Sequence, residues 1–137
     1  MKKRKWFIYT VIIGLLPLMI RFFLFLVVNG IGSNYILNEV DLVTFGLILH
    51  ISNINELEDK EKIERVWKTT CIGFSVVMLV LFSSLLAVGY LSDISKSIDI
   101  NKNTLRYCAL FLSSVSLIIS YAIYNRLNKI EEASWIA

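Results

Sequence analysis

The sequence has few of the residues that bend, cross-link or catalyse. Its 137 residues include one proline, one histidine and two cysteines. Cys71 and Cys108 have no metal-ligand spacing and no neighbouring histidine, and they fall near opposite ends of the predicted spans, where they could not pair. The chain also lacks a Ser/His/Asp set, paired intramembrane aspartates and a phosphate-binding glycine loop. We therefore expect a protein that is not an enzyme and that uses no metal or cofactor.

Charge is absent from long stretches of the chain. Hydrophobic residues make up 56% of it, charged residues 18%, and the mean hydropathy is +0.66. A soluble domain of this size needs polar residues on every element, because most elements have a solvent face. The net charge of +3 is too small and too uneven to indicate nucleic-acid binding. With no internal repeat and no Pro/Gly/Ser-rich linker, residues 1–137 read as a single membrane domain surrounded by lipid.

Four apolar segments predict an all-α, four-transmembrane-helix bundle, with spans at about 6–28, 35–55, 69–91 and 105–124. The first segment would be about 35 Å long as a helix, enough to cross a hydrocarbon core of about 30 Å. It exceeds the apolar run of a signal peptide and is not followed by a small-residue cleavage site, so we expect a retained anchor. The third segment has no charge, and the second is the least apolar.

A charged stretch, 56–68, separates the second and third segments. It holds four pairs of opposite charge spaced by four residues, Glu56/Lys60, Glu58/Lys62, Glu61/Arg65 and Glu64/Lys68. The acid comes first in each pair, the order that favours a helix. We expect a cytoplasmic helical hairpin with a turn near Asp59.

Residues 125–137 form a mildly amphipathic segment, predicted to be a cytoplasmic tail. The tail is expected either to lie on the membrane surface, anchored by Trp135, or to dock on a cytoplasmic protein partner. The candidate residues for such a partner contact are Glu58, Lys62, Arg65 and Trp135.

Basic residues predict the orientation of the bundle. Ten fall on the side that holds both termini, Lys2, Lys3, Arg4, Lys5, Lys60, Lys62, Arg65, Lys68, Arg126 and Lys129. Three fall on the other side, Lys96, Lys102 and Arg106. The aromatic residues agree, with Trp6, Trp67 and Trp135 at one surface and Tyr35, Tyr90 and Tyr107 at the other. We expect a multi-pass protein of the inner (cytoplasmic) cell membrane with both termini in the cytoplasm.

Arg21 is the most unusual residue, because it lies about 10 Å inside the outer end of the first span. A lone arginine at the centre of a membrane helix costs about 2.5–3.5 kcal/mol or more, so a partner is expected. Glu39 and Asp41, in the outer half of the second segment, have a comparable depth and the opposite charge. The alternatives are an ion pair between the first two helices, snorkelling to lipid headgroups, or a charge that meets an ion, a substrate or a change in the bilayer.

The second segment has two polar stripes when it is projected as a helix. One contains Asp41, Thr44, Ser52 and Asn55, and the nearly opposite one contains Glu39, Gly46, His50 and Asn53. The apolar flanks, Val40, Leu47 and Ile54 on one side and Leu42 and Leu49 on the other, suit lipid. One stripe would face the bundle, and the other would need a second subunit or a water-filled path, which predicts a homo-oligomer. The alternative is a tilted, partly wet segment at the interface, where His50 is either a proton sensor or an ordinary wet histidine.

The fourth segment carries a stripe of small residues, Ala109, Ser113, Ser116 and Ser120, at spacings of four, three and four. Such a stripe lets membrane helices approach closely. Close packing is one interpretation and a hydroxyl-lined pore wall is the other. Ser83 and Ala87 of the third segment are the residues that we expect to meet it.

Three functions are compatible with these features. The first is a homo-oligomeric pore-forming or membrane-sensing subunit that signals to a cytoplasmic partner. The second is a membrane immunity or adaptor protein that binds a toxin or recruits a soluble partner and conducts nothing. The third is a small secondary transporter, which is ranked last because such proteins usually show internal repeats and an ionisable residue at mid-membrane.

In size, number of spans and layout of charge, the chain resembles the small four-helix membrane subunits of bacterial anti-phage defence systems, such as the membrane component of Kiwa. It is equally similar to four-helix colicin immunity proteins. The resemblance covers the general plan of the whole chain and no aligned motif. It implies a role in antiviral defence or immunity and assigns no role to any residue.

Overall fold

A computed structural model describes residues 2–61, 63–95, 97 and 99–136 of the chain. It contains four α-helices: α1 (Lys2–Val27), α2 (Glu39–Glu58), α3 (Arg65–Ile94) and α4 (Lys102–Ile136). A single 3-10 turn, Ser33–Tyr35, lies between α1 and α2, and the described residues contain no strand. All four helices are long and apolar enough to cross a membrane. The predicted all-α class with four apolar helices is confirmed.

α2 begins four residues later than the sequence predicts. Asn38 caps it, since its side chain accepts a hydrogen bond from the backbone N–H of Val40 at 2.8 Å. Glu39 and Asp41 follow in the first turn, where a carboxylate is stabilised by the positive end of the helix dipole. The two acids of the outer half of the second segment therefore occupy a favoured position for acidic residues.

The α2–α3 connection turns where it was expected, because α2 ends at Glu58 with Asp59 as its C-cap. The helical charge pairs are only partly present. Lys60 lies 3.7 Å from Glu56, and Glu61 precedes the start of α3. Glu64 is the N-cap of α3, and its backbone carbonyl accepts a hydrogen bond from the backbone N–H of Lys68 at 3.0 Å. The ammonium of Lys68 instead donates to the backbone carbonyls of Glu58 (2.9 Å) and Lys60 (3.1 Å). The side chain of Lys68 thus closes the hairpin through hydrogen bonds to the backbone.

α4 continues without a break through the segment that we expected to be a separate tail. The apolar stripe of its membrane part extends into this segment through Ile123, Leu127 and Ile130, at helical spacing. Ile123 and Leu127 are buried in a cluster with Leu57, near the end of α2, and Ile63 of the α2–α3 connection. Because this cluster holds α4 against the connection, the helix does not turn away at residue 125.

α2 is the central helix of the fold, and the other three pack mainly against it rather than against one another. Gly46 allows the closest approach, since any side chain there would collide with the fully buried ring of Phe82 on α3. Gly14 of α1 similarly lies under Phe45 of α2, whose ring is 2.6 Å from the position of an added Cβ. Leu42 and Leu49, expected to face lipid, are buried.

The turn end of the bundle holds residues 58–61 and 63–65, and the opposite end holds residues 28–38, 95, 97 and 99–101. Phe7 stacks on Tyr124 with ring centroids 4.9 Å apart, so α1 begins at the turn end, where α4 finishes. Some predictions fall on Lys62, on Lys96 and on the side chains of Lys2, Lys3, Arg4 and Trp6, which lie outside the described residues.

Candidate functional site

Arg21 pairs with Asp41. The guanidinium of Arg21 on α1 donates to the carboxylate of Asp41 on α2, and the two side chains are 25% and 12% exposed. The same guanidinium lies over the ring of Tyr35, 4.9 Å from its centroid. Because the arginine has a carboxylate and an aromatic face as partners, the interaction joins α1 to α2 near the opposite end.

Glu39 pairs with a different helix. Its carboxylate lies 3.8 Å from the Nε of Arg106 on α4, a distance at which the ions attract without a hydrogen bond. From the sequence, Arg106 was counted among the basic residues of the outer side and was given no partner. The two adjacent acids of α2 thus point to two helices, Asp41 to α1 and Glu39 to α4.

The second polar stripe of α2 faces α4. His50 is fully buried, and its Nε2 shares a hydrogen bond of 2.9 Å with the hydroxyl of Ser116. The amide of Asn53 donates to the hydroxyl of Ser120 at 2.8 Å, and the hydroxyl of Ser113 donates to the carbonyl of Leu42 at 2.6 Å. We call these six residues the α2–α4 polar seam.

The seam explains the small-residue stripe of α4. Ala109, Ser113, Ser116 and Ser120 are all buried. Ser83 and Ala87 do not meet them, because both are exposed on α3, and the hydroxyl of Ser83 bonds to the carbonyl of Leu79 in its own helix. That prediction was wrong about the partner helix: the stripe packs on α2, whose polar side chains complement its hydroxyls.

His50 is not a wet histidine at the interface. Its ring lies between two aromatic rings of α3, Phe74 and Phe82, with centroids 6.1 and 6.0 Å away. Within the described part of the chain, its Nδ1 and the buried hydroxyl of Ser75 have no hydrogen-bond partner. The wet histidine was wrongly predicted because the neighbours that exclude water from His50 come from α3 and α4, far away in sequence.

The first polar stripe of α2 faces α1 over part of its length. Besides the Arg21–Asp41 pair, the hydroxyls of Ser52 and Thr10 lie 3.1 Å apart. Thr44 donates to the carbonyl of Val40 in its own helix, and Asn55 is exposed at the turn end.

Both polar stripes of α2 therefore have partners on neighbouring helices of the same chain, the first through Asp41 and Ser52 only. The prediction that only one stripe can face the bundle was wrong, because α2 is the central helix. The homo-oligomer itself stays a prediction, without the stripes as its support.

A groove opens at the turn end between the α2–α3 connection and the last three turns of α4. It has a volume of about 540 Å³ and an apolar floor that includes Ile63, Leu127 and Ile130. Across it, the ammonium of Lys60 lies 2.8 Å from the carboxylate of Glu131. We call it the turn-end groove.

The residues predicted to contact a partner are distributed unevenly around this groove. Trp135 lines it and is 88% exposed. Glu58 and Arg65 are exposed but lie outside its lining, and Lys62 lies outside the described residues. Asp59 and Glu61 line it and were missed. The signal that could have found the groove is the continuation of the apolar stripe of α4 past residue 124, opposite a charged turn.

No protein-family model, no curated protein and no solved structure matches this chain. The described residues also contain no group of His, Cys, Asp or Glu that could hold a metal ion. The function must therefore be inferred from the surfaces and contacts of the chain itself. The resemblance to defence and immunity proteins stays a prediction.

Proposed function

We propose that the protein is a non-enzymatic, multi-pass membrane adaptor that recruits a soluble cytoplasmic protein through the turn-end groove. The occupant that fits the groove is an amphipathic segment with basic residues along one edge. The observation that carries the proposal is the extension of α4 beyond the apolar span. Residues 125–136 add about 18 Å of helix beside the α2–α3 connection.

The apolar part of the groove supports protein recognition. Ile63 and Leu127 are buried in its floor, while Trp135 at its far end is almost fully exposed. Exposed tryptophans next to a concave apolar surface are common anchors in protein interfaces. A helix laid in such a groove buries side chains at positions i, i+3, i+4 and i+7.

Charge supports a basic partner. Asp59, Glu61 and Glu131 lie on the rim, and among the described residues the one cation in the lining, Lys60, is paired with Glu131. The described residues therefore give the rim a net negative charge, which attracts a basic segment and disfavours anionic surfaces such as lipid headgroups.

The distribution of polar residues weighs against a pore within one chain. The serine hydroxyls of the polar seam are buried and bonded to α2, so they do not line a channel. The exposed surfaces of α1 and α3 are apolar at residues such as Phe23, Leu26, Val77 and Val80. An oligomeric pore remains our second hypothesis, and the experiment below distinguishes it from the adaptor.

The experiment is site-specific photo-crosslinking in intact cells. A photoreactive benzoylphenylalanine is placed at Glu61, at Trp135 or, as a control at the opposite end, at the exposed Tyr107. We expect crosslinks to one soluble protein from positions 61 and 135 but not from 107. Mass spectrometry of the crosslinked peptide should find an apolar segment with lysine or arginine along one edge.

A pair of charge reversals tests the rim. Glu61→Lys should reduce the crosslink from position 135 several-fold, because it opposes the basic partner. Glu132→Lys is the matched control, since Glu132 is exposed on α4 outside the groove and should leave the yield unchanged. Crosslinks to lipid alone would contradict the adaptor. Crosslinks to a second copy alone would favour the oligomeric subunit.

The adaptor requires the turn end to face the cytoplasm, as the basic residues predict. A cysteine at position 97, in the 95–101 loop, should react with a membrane-impermeant thiol reagent in intact cells. A cysteine at position 59 should react only after the cells are permeabilised. The reverse pattern would place the groove outside the cytoplasm and exclude a cytoplasmic partner.

A further inference from the structure

A second groove lies between α3 and α4 at the turn end, and its lining residues belong to these two helices. It has a volume of about 420 Å³, within the range of small-molecule sites. Cys71, Phe74, Ile119 and Ile123 line its sides, and the small side chain of Ala122 leaves space between them. The groove exists because α3 and α4 pack more extensively on α2 than on each other.

The mouth of this groove is marked by an arginine on a tryptophan. The guanidinium of Arg126 lies 4.5 Å from the centroid of the Trp67 ring. Tryptophan favours the level of lipid headgroups, and the apolar lining runs about 10 Å along α3 from Trp67 to Phe74. An acyl chain lying in the groove would therefore bring its headgroup to Arg126.

Arg126 has hydrogen-bonding capacity to spare. Its contact with Glu64 is 3.9 Å long, and both side chains are more than half exposed, so the pair contributes little. Stacking on Trp67 uses the face of the guanidinium and leaves its N–H donors at the edge. A planar guanidinium presents paired donors that match a phosphate.

Charge distinguishes this groove from two others at the turn end. The turn-end groove is lined by Asp59, Glu61 and Glu131, and a third groove, beside Phe7, is lined by Glu132. Among the described residues, the groove between α3 and α4 is lined by one cation, Arg126, and by no carboxylate.

We propose that the groove between α3 and α4 binds a phospholipid with an anionic headgroup. One acyl chain lies beside Ala122 and Phe74, and Arg126 contacts the phosphate. This site is separate from the turn-end groove and does not depend on the adaptor function.

The test measures lipid retention by the full chain in detergent, using native mass spectrometry. Phosphatidylglycerol and phosphatidylcholine with the same acyl chains are the probes. We expect the wild-type protein to retain one phosphatidylglycerol in preference to phosphatidylcholine. Arg126→Gln should reduce that retention about tenfold, as expected for the loss of a hydrogen bond to a charged group.

Two further variants keep the result interpretable. Lys129→Gln removes the same charge from an exposed residue of α4 outside the groove and should retain the lipid. Ala122→Phe fills the groove without changing charge and should also abolish retention. Equal losses in Arg126→Gln and Lys129→Gln, or normal retention in Ala122→Phe, would overturn the proposal.

The two cysteines provide a second readout in the unmodified sequence. Cys71 lines the groove, whereas Cys108 is exposed elsewhere on α4, and both thiols are free. Phosphatidylglycerol should slow the reaction of Cys71 with N-ethylmaleimide and leave the reaction of Cys108 unchanged. Equal protection of both thiols would indicate general coating by lipid and contradict a specific site.

Discussion

α2 and α3 are both long enough to cross a membrane, but their surfaces are used in opposite ways. Of the most apolar stretch of α2, 39% of the residues are buried inside the protein, against 17% for α3. α2 carries Asp41, His50 and Asn53 at buried positions, whereas α3 exposes residues such as Val76, Val77 and Val80. The helix with the weaker membrane signal is the one that the rest of the protein surrounds.

The physical reason lies in the solvent. Lipid is as apolar as leucine, so an apolar helix such as α3 has little to gain by leaving it. A carboxylate, an imidazole or an amide is costly in lipid and must find partners inside the protein. The polar content of α2 therefore predicts a central position once lipid replaces water as the surroundings.

The largest expected effect comes from comparing a carboxylate of α2 with one of α3. Asp41→Ala leaves Arg21 without its anion and should lower the free energy of unfolding by about 3 kcal/mol. Asp93→Ala should change it by less than about 0.5 kcal/mol, because Asp93 and its partner Lys102 are both exposed. Titration with sodium dodecyl sulfate in mixed micelles measures both. Equal effects would show that the Arg21–Asp41 pair is not protected from solvent.

The next effect concerns the contact surface between the two helices. Phe82→Ala removes the ring packed against Gly46 and should cost about 2 kcal/mol. This is below the range for aqueous cores, because lipid offers the same apolar environment and only packing is lost. Phe111→Ala is the matched control, since Phe111 is 68% exposed on α4. If the two substitutions lower the free energy of unfolding equally in the same titration, the packing of Phe82 against Gly46 is contradicted.

A smaller effect tests the polar seam directly. A double-mutant cycle of Asn53→Ala and Ser120→Ala should give a coupling of about 0.6 kcal/mol, the average for hydrogen bonds between membrane helices. Stability in the same micelles is the measurement. Additive single effects would mean that the two side chains do not interact.

The smallest effect separates two kinds of serine. Ser113→Ala removes a hydrogen bond from α4 to the carbonyl of Leu42 and should cost about 0.5 kcal/mol. Ser83→Ala removes one within a single helix at an exposed position and should leave the melting temperature unchanged. A larger loss of stability for Ser83→Ala than for Ser113→Ala would indicate that the exposed face of α3 is covered by another subunit.

Several features could be predicted from the sequence because they depend on local chemistry. Apolar runs define four helices, and the charged stretch places a turn near Asp59. Arg21 required an anion, and the two candidates were named, although only Asp41 pairs with it. The partner of Glu39 was missed because Arg106 lies 67 positions further along the chain and was counted only among the basic residues of the outer side.

The site was less predictable than the helices. His50 looked like an interfacial histidine because the predicted span, 35–55, places it near the inner membrane surface. The fold instead surrounds it with Phe74, Phe82 and Ser116, which no local pattern brings together. The end of α4 was misjudged for a related reason: its amphipathic stripe was expected to face a membrane surface or a cytoplasmic partner, whereas Ile123 and Leu127 pack on Leu57 and Ile63.

By itself, the sequence determined that four apolar helices form and that polar side chains of the second would need partners, since both follow from transfer of residues between water and lipid. Only the tertiary structure decided which helix is central and which partners those side chains find. That choice depends on the shapes of facing surfaces, such as Gly46 beneath Phe82 and the serine stripe of α4 beside His50 and Asn53. Complementarity of this kind exists only between two helices, so it cannot be read from either helix alone.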